Sequence, residues 1–375
     1  MRPQAGAIVT PWEHGSEFHL MSVSDQVERF PSPWDRARLL FGTGRDAIRA
    51  ILALGMLSKG WKRLWIPAYF CQTVVQSIVE TGINVRNYSA WYPGVSKDED
   101  GPRAVPGDVV LVVNHFGLKS QSPCVIDTRN ASAVLEDHTH DPWSPWAFTS
   151  KADYCIASLR KVLPIPDGAV LWSPSSLSLP EPPPLTEEHD RAAGMKLEAM
   201  KLKAEHLAGS SLDKEVYRKL FASGEKYLSG SSLSAISAWS QEQLDRFPVS
   251  AWRKIRRRNV QTLMHALSDL PWVHVLAPSE DLDSVPFSAI LLFETPEFRN
   301  FVREGLILTG IYPAILWPLD EPVLDGISRE AVGASRRMLS IHCDMRYSEQ
   351  DLKRVAERIS ALGNVFKEKD CNACR

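Results

Sequence analysis

Six short apolar runs, at 64–67, 108–113, 124–127, 133–136, 153–157 and 169–172, follow one another between turn residues. Val and Ile dominate them and polar residues do not alternate regularly through them, the pattern of strands buried on both faces. Helical spacing interrupts the series: Ile48, Ile51, Leu52 and Leu54 recur over 46–57, and 73–80 also reads as a helix. Strands interleaved with helices predict an α/β domain whose central sheet is mainly parallel, with helices on each side.

The rest of the chain is organised differently. Residues 1–40 read as irregular, with Pro11, Pro31 and Pro33 breaking any period. Pro180, Pro182, Pro183 and Pro184 mark an extended connector, followed by a charged helical stretch over 187–222. Gly230, among Ser229, Ser231 and Ser232, forms the next break. The last third mixes strand-like runs (288–293, 338–342) with helices (252–267, 296–304, 349–362), which predicts a smaller α+β domain. A chain of 375 residues suits two packed domains. The expected division is an irregular segment (1–40), a large α/β domain (41–240) and a small C-terminal domain (241–375).

Charge and composition exclude several classes. A net charge of −2 leaves no basic footprint for nucleic acid. No apolar stretch approaches the ~20 residues needed to span a bilayer, and no basic region followed by an apolar one opens the chain. Six cysteines, mostly in apolar segments, read as reduced thiols of a cytoplasmic protein. Cys371 and Cys374 form a C-x-x-C without the second pair that zinc normally requires. Five basic residues at positions 253–258 read as an ion-paired or subunit-contact helix.

Four segments carry chemistry. Gly42-Thr43-Gly44-Arg45-Asp46 is a glycine-bearing turn opening a helix, where backbone N–H groups and the helix dipole make a phosphate seat; such turns also occur for geometry alone. Leu135-Glu136-Asp137 leads through His138 and Thr139 to His140 at a strand's carboxyl end, where open α/β sheets bind ligands. An aspartate facing a pyridine nitrogen keeps that nitrogen protonated; a metal cluster or a solvated loop is the alternative there. Ser158-Leu159-Arg160-Lys161 follows another strand, and a deprotonated lysine amine there can form an imine with an aldehyde. A lone lysine in such a place is otherwise a solvated surface group. Arg346, in Asp344-Met345-Arg346-Tyr347, is either an interdomain ion pair or a substrate-facing cation.

In this order the segments resemble the DegT/DnrJ/EryC1/StrS aminotransferases, fold-type-I enzymes dependent on pyridoxal 5′-phosphate (PLP). The resemblance covers roughly residues 36–365 and includes Ile66-Pro67-Ala68-Tyr69-Phe70-Cys71, Asn259 with Arg257 and Arg258, and Gly310-Ile311-Tyr312-Pro313 with Trp317-Pro318. It implies a fold-type-I PLP-dependent transferase with Lys161 as the Schiff-base lysine, Asp137 at the ring nitrogen and His140 at the phenolic oxygen. Gly44, Arg45, Asp46 and Ser158 would hold the phosphate. Where the family stacks an aromatic ring on the cofactor this chain has Cys71, with Tyr69 and Phe70 beside it. The family's phosphate-binding asparagine from a neighbouring subunit is not evident near 229–237. A homodimer follows from the resemblance alone. The implied activity is transamination by ping-pong chemistry between an amino-acid donor and a keto or aldehyde acceptor, a sugar or secondary metabolite. Elimination or other carbon-acid chemistry uses the same lysine and aspartate and stays open, as does a non-catalytic relative acting as a sensor or partner protein.

Overall fold

Thr43 starts the first long helix by exchanging hydrogen bonds with Asp46. Its Oγ1 accepts from the Asp46 N–H at 3.2 Å, while Asp46 Oδ2 accepts from the Thr43 N–H at 3.1 Å. This capping box satisfies donors that a helix start leaves open, and Ile48, Ile51 and Leu52 then bury the apolar face. The computed structural model describes residues 11–22, 29–89, 101–122, 128–230, 232–276 and 283–373.

Over these residues the first half contains β1 (His14–Gly15), β2 (Leu39–Phe41), α1 (Gly44–Ser58), β3 (Arg63–Pro67), α2 (Gln72–Val79), β4 (Asn84–Tyr88), β5 (Asp108–Val113), β6 (Ala133–Asp137), α3 (Pro145–Thr149), β7 (Tyr154–Ala157) and β8 (Ala169–Trp172). The second half contains α4 (Glu187–Leu207), α5 (Lys214–Gly230), α6 (Ala238–Gln243), α7 (Val249–Leu267), β9 (Val273–Val275), β10 (Ser288–Phe293), α8 (Pro296–Leu308), β11 (Ile311–Tyr312), α9 (Arg329–Arg337), β12 (Met338–His342) and α10 (Glu349–Ala373).

Seven strands form one sheet in the order β2-β8-β7-β6-β5-β3-β4. Only β8 runs against the others, so the sheet is mainly parallel. All six residues of β5 are buried. Val109, Leu111 and Val113 pack into the core under α1, while Val110 and Val112 pack against Tyr88 and Trp146 on the other face. Both faces are covered, so the run shows no alternation.

A second, antiparallel sheet has the order β12-β10-β9. Leu291, Leu339 and Ile341 pack there with Leu263, Phe298 and Leu352 of the surrounding helices. The segment at His14–Gly15 is tied to this half, because β1 pairs in parallel with β11.

Some elements depart from the sequence reading. The helical stretch expected over 187–222 is two helices, α4 and α5, packed through Met200, Tyr217 and Phe221. Gly209, at φ +96°, sits in the turn between them, a conformation other residues rarely adopt. Helix α10 runs past the expected end at 362. The strand expected over 124–127, and Cys374, lie outside the described residues. No described helix is long and apolar enough to cross a membrane.

Candidate active site

The carboxyl ends of β5, β6 and β7 open onto a cavity of about 510 Å³, within the usual span for cofactor and substrate sites. Asp137 is the last residue of β6 and lines it. Its neighbour Glu136 is absent from the cavity wall, as strand alternation dictates, and is served by His138 Nε2 at 3.0 Å and Ser150 Oγ at 2.6 Å. Glu136, His138 and Cys155 place three potential metal-binding atoms within 4.8 Å of one another. Asp137 Oδ1 accepts the Thr139 N–H at 2.8 Å. Burial nevertheless raises the Asp137 pKa, because Thr139's hydrogen bonds only partly offset the desolvation of its charge.

His140 stands three residues further on. Its Nδ1 accepts the Phe116 N–H at 2.8 Å, and Phe116 holds the left-handed conformation at φ 58°. Phe287 and Trp317 stack on the imidazole at 4.7 and 5.5 Å between ring centres. Burial, then the neighbouring charges of His115, Lys161 and Arg256, push its pKa down to about 3. The ring is therefore neutral near pH 7, with its proton on Nε2.

Lys161 ends a single turn after β7, Leu159–Lys161. Its side chain lines the cavity. Arg160 beside it, and then burial, lower its amine pKa. Arg160 is itself held by Glu225 of α5 at 2.9 and 2.8 Å, and the same carboxylate takes Lys196 at 2.7 Å.

The amino end of α1 closes another part of the cavity. Thr43 takes the Asp46 N–H, leaving those of Gly44 and Arg45 without an intrahelical acceptor. A Cβ on Gly44 would stand 3.3 Å from Ser158 Cβ, so glycine lets the helix start lie directly against Ser158. The Ser158 N–H goes to Thr139 Oγ1 at 3.0 Å, and the residue lines the cavity. Open N–H groups at a helix start beside a hydroxyl form an arrangement suited to an anion.

Gly44, Arg45, Cys71, Asp137, His140, Ser158 and Lys161 thus share one cavity wall. Two expected site residues stand off it. Asp46 is spent on the helix cap, and its N–H is already taken. Tyr69 is buried behind the wall, its hydroxyl donating to the Leu316 carbonyl, and Phe70 with Cys71 lines the cavity at that point. Arg346 is an ion pair: two of its nitrogens donate to Asp344 at 2.8 Å, and a third to the Ser16 and Glu17 carbonyls.

Sequence reasoning missed several wall residues. Glu225 and Arg256 are two of them, and Ser16, Glu17 and Phe18 from the chain's beginning are three more. Lys203 fixes that segment, donating to Ser16 Oγ at 2.6 Å and to the Glu17 carbonyl at 2.8 Å. A lysine at an apolar position of a charged helix was the available signal for Lys203; nothing local distinguished Glu225.

No family model matches the chain, and no curated protein matches its sequence. Among solved structures, PseC of Helicobacter pylori, an aminotransferase involved in the biosynthesis of pseudoaminic acid, superposes with a TM-score of 0.57 at 12% identity, covering 94% of this chain and 100% of that one. DesI, solved in the presence of its TDP-sugar product, gives 0.56 at 16% identity, over 91% of this chain and 84% of the other. The PMP form of Spr1654 from Streptococcus pneumoniae gives 0.58 at 14%, over 89% and 87%. The chain has the fold of these proteins. The mainly parallel α/β sheet expected from the sequence is present, and it places Asp137 and Lys161 at and just after the ends of neighbouring strands.

Proposed function

We propose that this chain is a PLP-dependent aminotransferase, moving an amino group from an amino-acid donor to a keto or aldehyde acceptor such as a sugar or secondary metabolite. One observation carries the reading: the amine of Lys161 and the buried carboxylate of Asp137 face a single cavity that also holds the open helix start beside Ser158. The likeness to PseC and to the PMP form of Spr1654 supports it. The proposal includes a homodimer, which the resemblance alone supports, and a cytoplasmic setting, which the free thiols Cys71, Cys155 and Cys343 fit.

The wall residues fit PLP. The N–H groups of Gly44 and Arg45, with the Ser158 hydroxyl, suit a phosphate. Asp137 is a carboxylate whose burial is only partly compensated within the protein, and a pyridinium would supply the missing cation. His140 presents Nε2–H as the donor suited to a phenolic oxygen. Bound PLP supplies an aldehyde that takes up amines and a ring that withdraws electrons from the substrate carbon. Lys161 Nζ would be the group that holds that aldehyde. The same amine, with its lowered pKa, would move a proton off and back onto the substrate carbon. General acid–base transfer of this kind contributes roughly 10²–10⁴-fold in rate.

The test is the absorption spectrum of the purified protein before and after borohydride, followed by peptide mapping and incubation with glutamate. Reduction should fix the cofactor on Lys161, and glutamate should bleach the unreduced chromophore as the pyridoxamine form accumulates. A protein that takes up no PLP, or is labelled at another lysine, overturns the proposal.

A further inference from the structure

Four arginines line the cavity: Arg45, Arg160, Arg256 and Arg346. Three are occupied. Arg160 is held by Glu225 and Arg346 by Asp344, while Arg45 donates to the Leu228 carbonyl and Ser229 at 3.2 Å. Arg256 is different. It projects from α7, is only 6% exposed, and makes one long hydrogen bond, to the Val162 carbonyl at 3.4 Å. Its Nε is buried without a partner, and among the described residues no carboxylate lies within salt-bridge distance. Asp344 is the acidic group whose field reaches it most strongly, and Asp344 is already committed to Arg346.

A guanidinium buried without an anion is costly, and such a group in a cleft calls for a ligand that completes it. Its planar fork matches a carboxylate. Its position narrows the source. Arg256 touches the residue that follows Lys161, and its charge acts on His140 together with that of Lys161. The phosphate seat is formed by other residues, at the start of α1. On the aminotransferase reading above, the group whose carboxylate must lie beside Lys161 and His140 is the amino acid. We infer that Arg256 binds the carboxylate of the amino donor, and so restricts donors to amino acids over simple amines.

The test has a binding arm and a kinetic arm. Calorimetric titration of 2-oxoglutarate, which does not react with the PLP form, reads the subsite without turnover. Arg256→Gln should weaken it roughly 10- to 150-fold, the range for losing a hydrogen bond to a charged group, and Arg256→Lys should restore part of the loss. In single-turnover reactions of the PLP-loaded protein, Arg256→Gln should slow alanine by a similar factor while leaving ethylamine unchanged. Unaltered 2-oxoglutarate affinity, equal slowing of alanine and ethylamine, or weaker binding of PLP itself would each overturn the assignment. A wild-type protein that takes up no PLP but still binds 2-oxoglutarate through Arg256 would instead overturn the aminotransferase reading and leave the carboxylate subsite standing.

Discussion

Glu225 grips Arg160 through both carboxylate oxygens, at 2.8 and 2.9 Å, one residue before Lys161. Arg160 is the strongest influence lowering the Lys161 pKa, and Glu225 opposes it. Lys196 shares the same carboxylate, so two buried cations depend on one anion brought by α5. The balance among these groups sets how readily the lysine amine is freed of its proton.

Glu225→Gln should therefore act on stability and chemistry together. Removing one partner of a buried pair costs about 3–5 kcal/mol, and the 38% exposure of the Glu225 side chain reduces this to about 2 kcal/mol. Burial alone would raise the Glu225 pKa, but Arg160, Lys196 and Lys161 outweigh it and hold the carboxylate far below its usual range. Its contribution is thus fully present above the unfolded value, about 4.3, and is lost as pH falls toward the folded one. Urea melts of wild type and variant should differ at pH 7 and converge below pH 4. A gap that stays constant down to pH 3 would contradict this role. The Lys161 pKa should also fall further, shifting its borohydride-trapped labelling by pyridoxal to lower pH.

Asp137 works against stability until a cation arrives. Its folded pKa lies above the unfolded value, about 3.9, because of burial, so it costs stability as pH rises through that interval. Cofactor-free Asp137→Asn should melt at or above the wild-type temperature at pH 8. Added PLP should raise the wild-type melting temperature far more than the variant's. Equal gains for the two proteins would mean that this carboxylate does not meet the ring nitrogen.

Much of this architecture was legible because its signals are local. The unalternating run at 108–113 announced a strand covered on both faces, and β5 has those bounds. Asp137, His140 and Lys161 follow strand ends, where the parallel sheet gathers them. What escaped depends on distant contacts. Strand β1 is two residues long and is completed only by β11, so the wall it brings to the cavity has no periodic signature. Glu225 reads as a surface charge until α5 folds back on α4. The basic run at 253–258 looked uniform, yet a helix turns successive side chains by about 100°. Arg253 meets Asp141, Arg258 meets Glu349 at 3.0 Å, and Arg256 enters the cavity.

Thr43 couples helix stability to the proposed phosphate site. Its hydroxyl takes the Asp46 N–H, and Asp46 in turn accepts from both the Thr43 hydroxyl and its N–H. Thr43→Ala should cost about 1 kcal/mol in denaturant melts and weaken PLP binding by loosening the helix start. Thr43→Ser keeps the hydroxyl and should recover both. Full PLP affinity in the alanine variant would separate the cap from the seat.

His140 should act as a fixed donor and never as a titrating acid. With its pKa near 3 and Nδ1 engaged by the Phe116 N–H, it presents the same Nε2–H from pH 5 to 9. The kcat profile should therefore show no inflection that disappears when His140 is replaced. His140→Gln retains an N–H donor and should keep most of the activity. His140→Leu removes the donor and should lose about 10- to 150-fold, the range for a hydrogen bond to a charged oxygen. If an inflection near pH 6.5 vanished in His140→Gln, the imidazole would have to ionise in the working enzyme. The Phe116 bond that fixes its tautomer would then have to break during turnover.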